Sequence, residues 1–240
     1  MKIPRKISPD NLKDTIIQVV YTAEPAPELL LGYVEQTLKG IFHFITGIPK
    51  DENSKNDKGF LIVNEVEKGF FISNDGKFKL NVTPSTLIFN QQEKYSGWHD
   101  YSACISETLT RLFGNRIIID VSRVGVRYIS QFPSTDVFES TQVNINMTGL
   151  SFGDGLATQF RTEIVEENFK SIITLVNRIE KQNSLNTIGI IDIDVIQVFE
   201  SDLSDFQVLL RSIEKGHEKQ KAIFFSLITD VFLNSLNPEY

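Results

Sequence analysis

Residues 121–132 have the sequence VSRVGVRYISQF, whose alternating apolar and polar side chains indicate a β-strand. Successive side chains of an extended strand point to opposite faces of its sheet. One face of this strand is predicted to be core and contains Ser122, Val124, Val126 and Tyr128. The other face is predicted to carry charge and contains Val121, Arg123, Gly125, Arg127 and Ile129. The stretch therefore predicts a sheet that is apolar on one side and charged on the other.

The charged face of this strand has the shape of a candidate binding site. At about 3.3 Å per residue, the Cα atoms of Arg123 and Arg127 lie roughly 13 Å apart. Gly125 has no side chain, so it leaves a notch between them that a backbone, a ring or an anion could enter. The alternative, which we favour, is that both arginines pair with carboxylates on a neighbouring strand, because cross-strand ion pairs are common.

A later predicted strand, at residues 187–199, places two aspartates on one face. Asp192 and Asp194 have Cα atoms roughly 7 Å apart, and two like charges this close are unfavourable unless a cation meets them. The candidate cations are a metal ion, a substrate cation, or Arg123 and Arg127. A metal ion would need further oxygen or imidazole ligands, which the sequence does not place nearby. We therefore predict pairing with the arginines and no metal site.

His217 lies in a predicted closing helix over residues 206–236 and is in phase with its apolar positions. A lone histidine on an apolar helix face is more often a satisfied core group than a general base. If the closing helix covers the Val124 and Val126 side of the sheet, His217 faces away from the arginines and aspartates. The candidate binding residues are Arg123, Gly125, Arg127, Tyr128, Asp192, Asp194 and His217, and none of them is assigned a catalytic role.

Composition limits the class of protein and of partner. A chain of 240 residues with 41% hydrophobic content can bury the core of one large domain or two smaller ones. Its 24 basic and 31 acidic residues give a net charge of −7, which works against non-specific attraction to phosphate backbones and anionic membranes. The single cysteine, Cys104, excludes a disulfide framework and a multi-thiolate metal site, and it fits a reducing compartment.

The sequence also predicts where the protein resides. The first residues, MKIPRKISPDN, carry charge without an apolar region after them, so no secretion signal is predicted. The apolar runs are far shorter than the roughly 20 residues that a membrane span requires. We therefore expect a cytoplasmic protein with no membrane association.

The order of predicted segments suggests two similar halves, residues 1–114 and 115–240. The first half is predicted to contain strands at 15–22, 60–66, 69–73, 77–82 and 86–93 and helices at 27–39 and 98–113. The second is predicted to contain strands at 116–132, 142–147, 158–165, 169–178 and 187–199 and the closing helix. Each half is predicted to be an antiparallel sheet covered by helices. The expected fold is therefore α+β with an internal duplication.

The motifs expected of an enzyme are not found. The glycine-bearing segment 149–155 precedes a predicted strand, whereas phosphate-binding loops lead into a helix, so we interpret it as a hairpin loop. The sequence shows no nucleophile with an adjacent base and no metal cluster, and we predict no cofactor. The chain is therefore predicted to be a non-enzymatic binding or interaction module, with an unknown protein as the favoured partner and an undetermined oligomeric state.

Two other functions remain open. An RNA-binding or RNA-processing protein would have a basic surface around Arg123, Arg127, Lys77 and Lys79 despite the net acidity. A small-ligand enzyme would instead have an enclosed pocket between the closing helix and the sheet, near His217. Each alternative predicts a different surface feature, so the arrangement of these side chains discriminates between them.

Three motifs in a fixed order resemble a family of proteins distributed sporadically among bacteria and archaea. They are RVGVRYI at 123–129, DID at 192–194 and HEKQKAIFFSLITD at 217–230, and the resemblance also includes residues 16–20. It therefore spans nearly the whole chain. The family has no assigned function, so the resemblance implies a prokaryotic cytoplasmic protein from mobile or defence-related gene neighbourhoods. It implies no established cofactor and marks no residue as catalytic.

Overall fold

A computed structural model describes residues 3–46, 69–92, 95–145, 158–181 and 185–240, and these ranges contain nine strands and four helices. In chain order they are β1 (Leu12–Ala23), α1 (Pro27–Leu38), β2 (Phe42–Thr46), β3 (Gly69–Ser73), β4 (Phe78–Thr83), β5 (Thr86–Gln91), α2 (Trp98–Gly114), β6 (Ile118–Pro133), β7 (Thr158–Glu166), β8 (Phe169–Lys181), β9 (Leu185–Leu203), α3 (Phe206–Leu227) and α4 (Asp230–Ser235). The strand predicted at 60–66 and the glycine-bearing segment 149–155 lie outside the described residues. No helix in the described ranges is long and apolar enough to cross a bilayer.

All nine strands belong to one antiparallel sheet with the order β2-β3-β4-β5-β1-β6-β9-β8-β7. The strands β1 and β6, which begin the two predicted halves, pair with each other from Leu12 opposite Ser130 to Ala23 opposite Ile118. The prediction of two separate helix-covered sheets with an internal duplication is therefore wrong, because hydrogen bonding continues across the boundary. The division between residues 114 and 115 falls between α2 and β6 and stays a prediction.

The buried face of the sheet carries the helices. Val126 in β6 lies opposite Ile17 in β1 and Val195 in β9, and all three side chains are buried. One part of the core lies over the strands β1 to β6 and is covered by α1, α2 and the first half of α3. The other part lies over β8 and β9 and is covered by the second half of α3 and by α4. The backbone of α3 approaches β6 closely at Gly216, where a Cβ atom would lie 2.8 Å from Val126 Cγ2. A glycine at this position therefore lets α3 lie directly on β6.

The central strand departs from the predicted alternation at its start. The pairing of β6 with β1 shifts register by one residue, since Tyr21 lies opposite Val121 whereas the adjacent Val20 lies opposite Arg123. Such a bulge inserts one extra residue and reverses the alternation beyond it. Val121 is therefore buried at 0% exposure in the core, and its predicted place on the charged face is wrong. From Arg123 onward the predicted alternation is confirmed.

Several elements differ from the predicted segments. The strand β2 was not expected, and residues 142–145 of the strand predicted at 142–147 are not in a strand. The predicted closing helix is two helices, because Ile228 adopts an extended conformation and Thr141 makes an isolated bridge to it. The hydroxyl of Thr229 then accepts a hydrogen bond from the backbone N–H of Phe232, which begins α4.

Candidate functional site

The four helices leave one face of the sheet uncovered in the described part of the chain, and we call it the helix-free face. Its centre carries the four residues that we call the arginine–aspartate cluster: Arg123 and Arg127 in β6, and Asp192 and Asp194 in β9. Arg127 lies directly opposite Asp194, and Asp192 lies two residues further along β9, opposite Ile129. The pairing of β6 with β9 therefore brings the predicted arginines and aspartates onto one surface.

Within the cluster, Arg127 and Asp192 form a two-point ion pair. The Nε atom of Arg127 donates to Asp192 Oδ1 at 2.9 Å, and its Nη2 atom donates to Oδ2 at 2.6 Å. Asp192 is only 9% exposed, so this carboxylate is shielded from water. Two parallel charge-assisted hydrogen bonds fix both position and orientation. The predicted pairing between the arginines and the aspartates is confirmed for these two residues, and it links β6 to β9.

The notch predicted at Gly125 is bordered by side chains of the protein itself. An added Cβ atom would lie 3.6 Å from Asp194 Oδ1 and 3.9 Å from Gln18 Cβ, which are ordinary contact distances. Gln18 lies opposite Gly125 in β1. The Asp194 side chain therefore lies beside Gly125, and its carboxylate is located between the two arginines.

Arg123 and Asp194 retain hydrogen-bonding capacity that the described chain does not satisfy. Arg123 donates from Nη2 to Gln18 Oε1, but its Nε atom is buried without a partner among the described residues. The Asp194 carboxylate makes no hydrogen bond in the described ranges. Burial raises the pKa of Asp194, an effect that Arg127 and Arg123 oppose and that Asp192 reinforces. A buried donor and a half-buried acceptor of opposite charge thus lie on either side of Gly125.

Two polar residues of this surface were not predicted from the sequence. Gln18 binds Arg123, and Asp14 accepts a hydrogen bond of 3.2 Å from the side-chain amide of Asn90 in β5. Both belong to β1, where Gln18 interrupts the apolar run TIIQVVYT. A polar residue within an apolar run could have indicated that Gln18 belongs to the polar surface. Only the register of β1 against β6 shows which residue Gln18 faces.

His217 and Tyr128 lie on the opposite, helix-covered face. The Nδ1 atom of His217 is 3.0 Å from the Tyr128 hydroxyl, which is itself 3.3 Å from the Tyr95 hydroxyl. The imidazole stacks on Trp98 with ring centroids 3.9 Å apart and planes 8° from parallel. Burial lowers the pKa of His217 to about 4, with a contribution from the charge of Lys221, so the ring is neutral at pH 7. The seven candidate residues therefore form two groups on opposite faces, as the alternation predicted.

Two concavities lie among the helices of the described chain. A cleft of about 280 Å³ separates α2 from α3 and is lined by Trp98, Ser102, Ile105, Leu210, Ile213 and Glu214, but not by His217. Its edge is fixed by Trp98, whose indole N–H lies 2.9 Å from both carboxylate oxygens of Glu214. A second concavity, of about 490 Å³, lies between α2 and the β3–β4 hairpin and includes Cys104. Burial raises the pKa of the Cys104 thiol to about 12, so it is not a thiolate at neutral pH.

Among the residues that the structure describes, no three His, Cys, Asp or Glu side chains are arranged to hold a metal ion. Comparison with protein-family models, with curated proteins and with solved structures finds no match to the chain. The family resemblance of the three motifs therefore stays a prediction. Function has to be argued from the geometry of the two groups of residues.

Proposed function

We propose that the chain is a binding module and that its helix-free face receives a partner protein at the arginine–aspartate cluster. The observation that carries this proposal is the half-buried Asp194 carboxylate beside Gly125, which is attracted by Arg127 and Arg123 but has no hydrogen bond to another described residue. A partner that donates a hydrogen bond to Asp194 would supply a contact that the described chain does not make.

The charges of the cluster favour a protein over a nucleic acid. A phosphate group offers only acceptors, and it would be repelled by Asp194 and Asp192. Arg127 is already bound by Asp192. Lys77, which the RNA-binding hypothesis groups with the arginines, lies 3.8 Å from Asp100 in α2, on the helix-covered side. A protein supplies donors and acceptors together, which matches a cluster that contains both signs of charge.

The surroundings of the cluster also resemble a protein interface. Apolar side chains lie opposite its members on the neighbouring strands: Ile16 opposite Arg127, Ile196 opposite Gly125 and Val198 opposite Arg123. Val198 is 64% exposed. Protein interfaces typically combine exposed apolar area with a small number of directed polar contacts. The helix-free face therefore offers both components in one place.

The test is capture of partners from a prokaryotic lysate by the tagged chain and by an Arg123→Met variant. Methionine keeps an unbranched apolar side chain but removes the guanidinium. We expect the free energy of unfolding of the variant to lie within about 1 kcal/mol of that of the wild type, because the change removes one hydrogen bond to Gln18 together with a buried Nε donor that has no partner in the described chain. We also expect it to lose a protein that the wild type retains after nuclease treatment. Equal capture by the two forms, or capture that nuclease abolishes, contradicts the proposal.

A small-ligand site in the cleft between α2 and α3 is the second candidate function. The observation that favours it is the neutral, half-buried His217, stacked on Trp98 at the edge of the cleft. Its volume of about 280 Å³ lies just below the range of roughly 300–1,000 Å³ typical of ligand pockets. The test of this second function is to add metabolite mixtures to the protein and to follow the fluorescence of Trp98. A saturable change in emission would support a ligand in the cleft.

The cellular setting is proposed on the sequence alone. A single cysteine fits the reducing cytoplasm, and the three motifs resemble a prokaryotic family associated with mobile or defence-related loci. This setting predicts that the captured protein is encoded near the gene of the chain. A partner encoded elsewhere in the genome would be consistent with the proposed binding function but would contradict the association with mobile or defence-related loci.

A further inference from the structure

The strand β7 forms one edge of the sheet. It pairs along its whole length with β8, from Thr158 opposite Asn177 to Glu166 opposite Phe169, and no other strand in the described ranges pairs with it. Its side chains are mostly exposed, with Val165 at 75% and Ile164 at 46%. A long, exposed strand edge presents unpaired N–H and C=O groups that can pair with another strand.

The sequence of β7 is complementary to itself when two copies run antiparallel. A two-fold axis at Thr162 pairs residues that lie equally far on either side of it. Arg161 then lies opposite Glu163 of a second copy, and Glu163 lies opposite Arg161 of that copy. The same axis places Phe160 opposite Ile164. The four positions next to the axis thus meet side chains of suitable chemistry, and opposite charges and apolar pairs stabilise neighbouring strands.

The two faces of the sheet keep these contacts separate. Arg161 and Glu163 share the helix-free face, where Arg161 Nη2 donates to Glu163 Oε1 at 2.9 Å and Lys170 Nζ lies 2.5 Å from Glu163 Oε2. Phe160 and Ile164 lie on the helix-covered face, where Phe160 packs against the core beneath α3. A second copy would therefore add two ion pairs on one face and cover the exposed Ile164 side chains on the other.

We propose that two copies of this chain associate through β7, antiparallel and with the two-fold axis at Thr162, so that their sheets become one continuous sheet. This goes beyond the proposed function and does not depend on it, since the arginine–aspartate cluster lies at the centre of the sheet, two strands from β7. A single strand edge is a small interface, so we expect a dissociation constant of about 10 µM.

Sedimentation equilibrium of the wild type and of charge variants tests the proposal. Arg161→Glu places glutamate opposite glutamate in the dimer, and Glu163→Arg places arginine opposite arginine. Each single variant should weaken the dimer by about tenfold or more. The double variant Arg161→Glu/Glu163→Arg should restore it. A mixture of the two single variants should form a heterodimer, because every facing pair is then opposite in charge. Both side chains are exposed, and thermal melts of each variant verify that the fold is retained.

A cysteine at the axis tests the register directly. In a Cys104→Ala background, Thr162→Cys should form a disulfide-linked dimer on oxidation, because the two copies of residue 162 face each other. The matched control is Val165→Cys, whose two copies would lie roughly 20 Å apart and should not cross-link.

A wild type that stays monomeric well above about 10 µM overturns the proposal, as does a dimer insensitive to both single variants. Equal cross-linking of Thr162→Cys and Val165→Cys overturns the register. Loss of a different captured protein by the β7 variants of a monomeric chain also overturns it and assigns the edge to that protein.

Discussion

At the scale of single residues, Arg127 holds together a group of charges that would otherwise repel. Its guanidinium binds Asp192 and lies opposite Asp194, so removing it leaves two close carboxylates with only Arg123 to offset their charge. Arg127→Met should therefore lower the free energy of unfolding by about 2–3 kcal/mol at pH 7. Asp192→Asn should lower it by only about 1 kcal/mol, because Asp194 remains close to the arginine. Urea unfolding of both variants measures the difference.

The pH dependence of Arg127→Met provides the control. Arg127 opposes the rise in the pKa of Asp194 that burial and Asp192 cause, so without the arginine this pKa rises further and protonation of Asp194 relieves the repulsion. The stability deficit of the variant should therefore shrink as the pH falls from 7 to about 4. An equal deficit at both pH values, or a larger loss from Asp192→Asn, would show that the ion pair is not what stabilises this part of the sheet.

The stack of Trp98 on His217 gives a residue-scale prediction of its own. The pKa of His217 falls from 6.5 to about 4 on folding, so both states are neutral above pH 6.5. Between pH 6.5 and 4 the unfolded chain binds a proton that the folded chain does not, and stability is lost across that window. A His217→Phe variant should lack this loss, which we estimate at on the order of 2 kcal/mol. Urea unfolding of both forms at pH 7 and pH 4.5 measures it.

The fluorescence of Trp98 reports the same protonation directly. Trp98 is the only tryptophan of the chain, so its emission is assigned without ambiguity. Protonation of the stacked imidazole should quench it with a midpoint near pH 4, and His217→Phe should abolish the transition. A midpoint near 6.5 would mean that His217 is exposed to water.

Part of the candidate site follows from alternation alone. The period of two along β6 places Arg123, Gly125 and Arg127 on one face because that period is a property of any extended strand. Val121 does not follow this alternation and lies on the buried face, because a bulge precedes Arg123. The contact with Gln18 could not be predicted, since the register between strands far apart in the chain is set by the packing of the whole core.

At the scale of elements, the contact between α3 and β6 depends on Gly216. A methyl group there would lie 2.8 Å from Val126 Cγ2, so Gly216→Ala should destabilise the protein by about 1–3 kcal/mol despite the higher helix propensity of alanine. In a Val126→Ala background the side chain that the methyl group would meet is shortened. The double variant should therefore be more stable than Val126→Ala alone. Thermal unfolding of the single and double variants measures both effects.

Gly32 in α1 is the matched control. It is exposed, and an added Cβ atom would meet no atom within 4 Å. Gly32→Ala should therefore stabilise the protein by about 0.5–1 kcal/mol through helix propensity alone. Changes of the same sign at Gly216 and Gly32 would contradict the close packing of α3 on β6.

The elements with strong periodicity were the easiest to predict. The predicted helix at 98–113 is α2, whose buried residues include Tyr101, Ile105 and Leu109, because a helix lying on a sheet repeats its apolar positions every three or four residues. The break between α3 and α4 was missed because Ile228 continues the apolar pattern. Its extended conformation is held by the bridge to Thr141, a contact distant in sequence.

At the scale of the whole molecule, the sheet ties the two predicted halves together. The pairing of β1 with β6 runs from Leu12 to Ala23, and α2 packs against α3 across the same boundary. We therefore expect one cooperative unfolding transition, with far-ultraviolet circular dichroism and Trp98 fluorescence coincident in urea. Two separated transitions would instead support independent units at 1–114 and 115–240.

The two-sheet plan was wrong for a physical reason. Alternation identifies a strand and its buried face but carries no information about its partner. In each predicted half the first strand is followed by a meander of its own, so a separate sheet for each half satisfied every local pattern. Only the joint burial of residues such as Ile17 and Val126 shows that β1 and β6 share a core.

The most direct test of the helix-free face as a binding surface is the affinity of the purified chain for the protein that it captures. Two exposed valines give matched variants: Val198 lies beside the arginine–aspartate cluster, and Val231 lies on α4 at 83% exposure. The account predicts that Val198→Asp raises the dissociation constant by about tenfold or more, whereas Val231→Asp leaves it unchanged. Equal affinities for the two variants, or a loss confined to Val231→Asp, would contradict binding at the helix-free face.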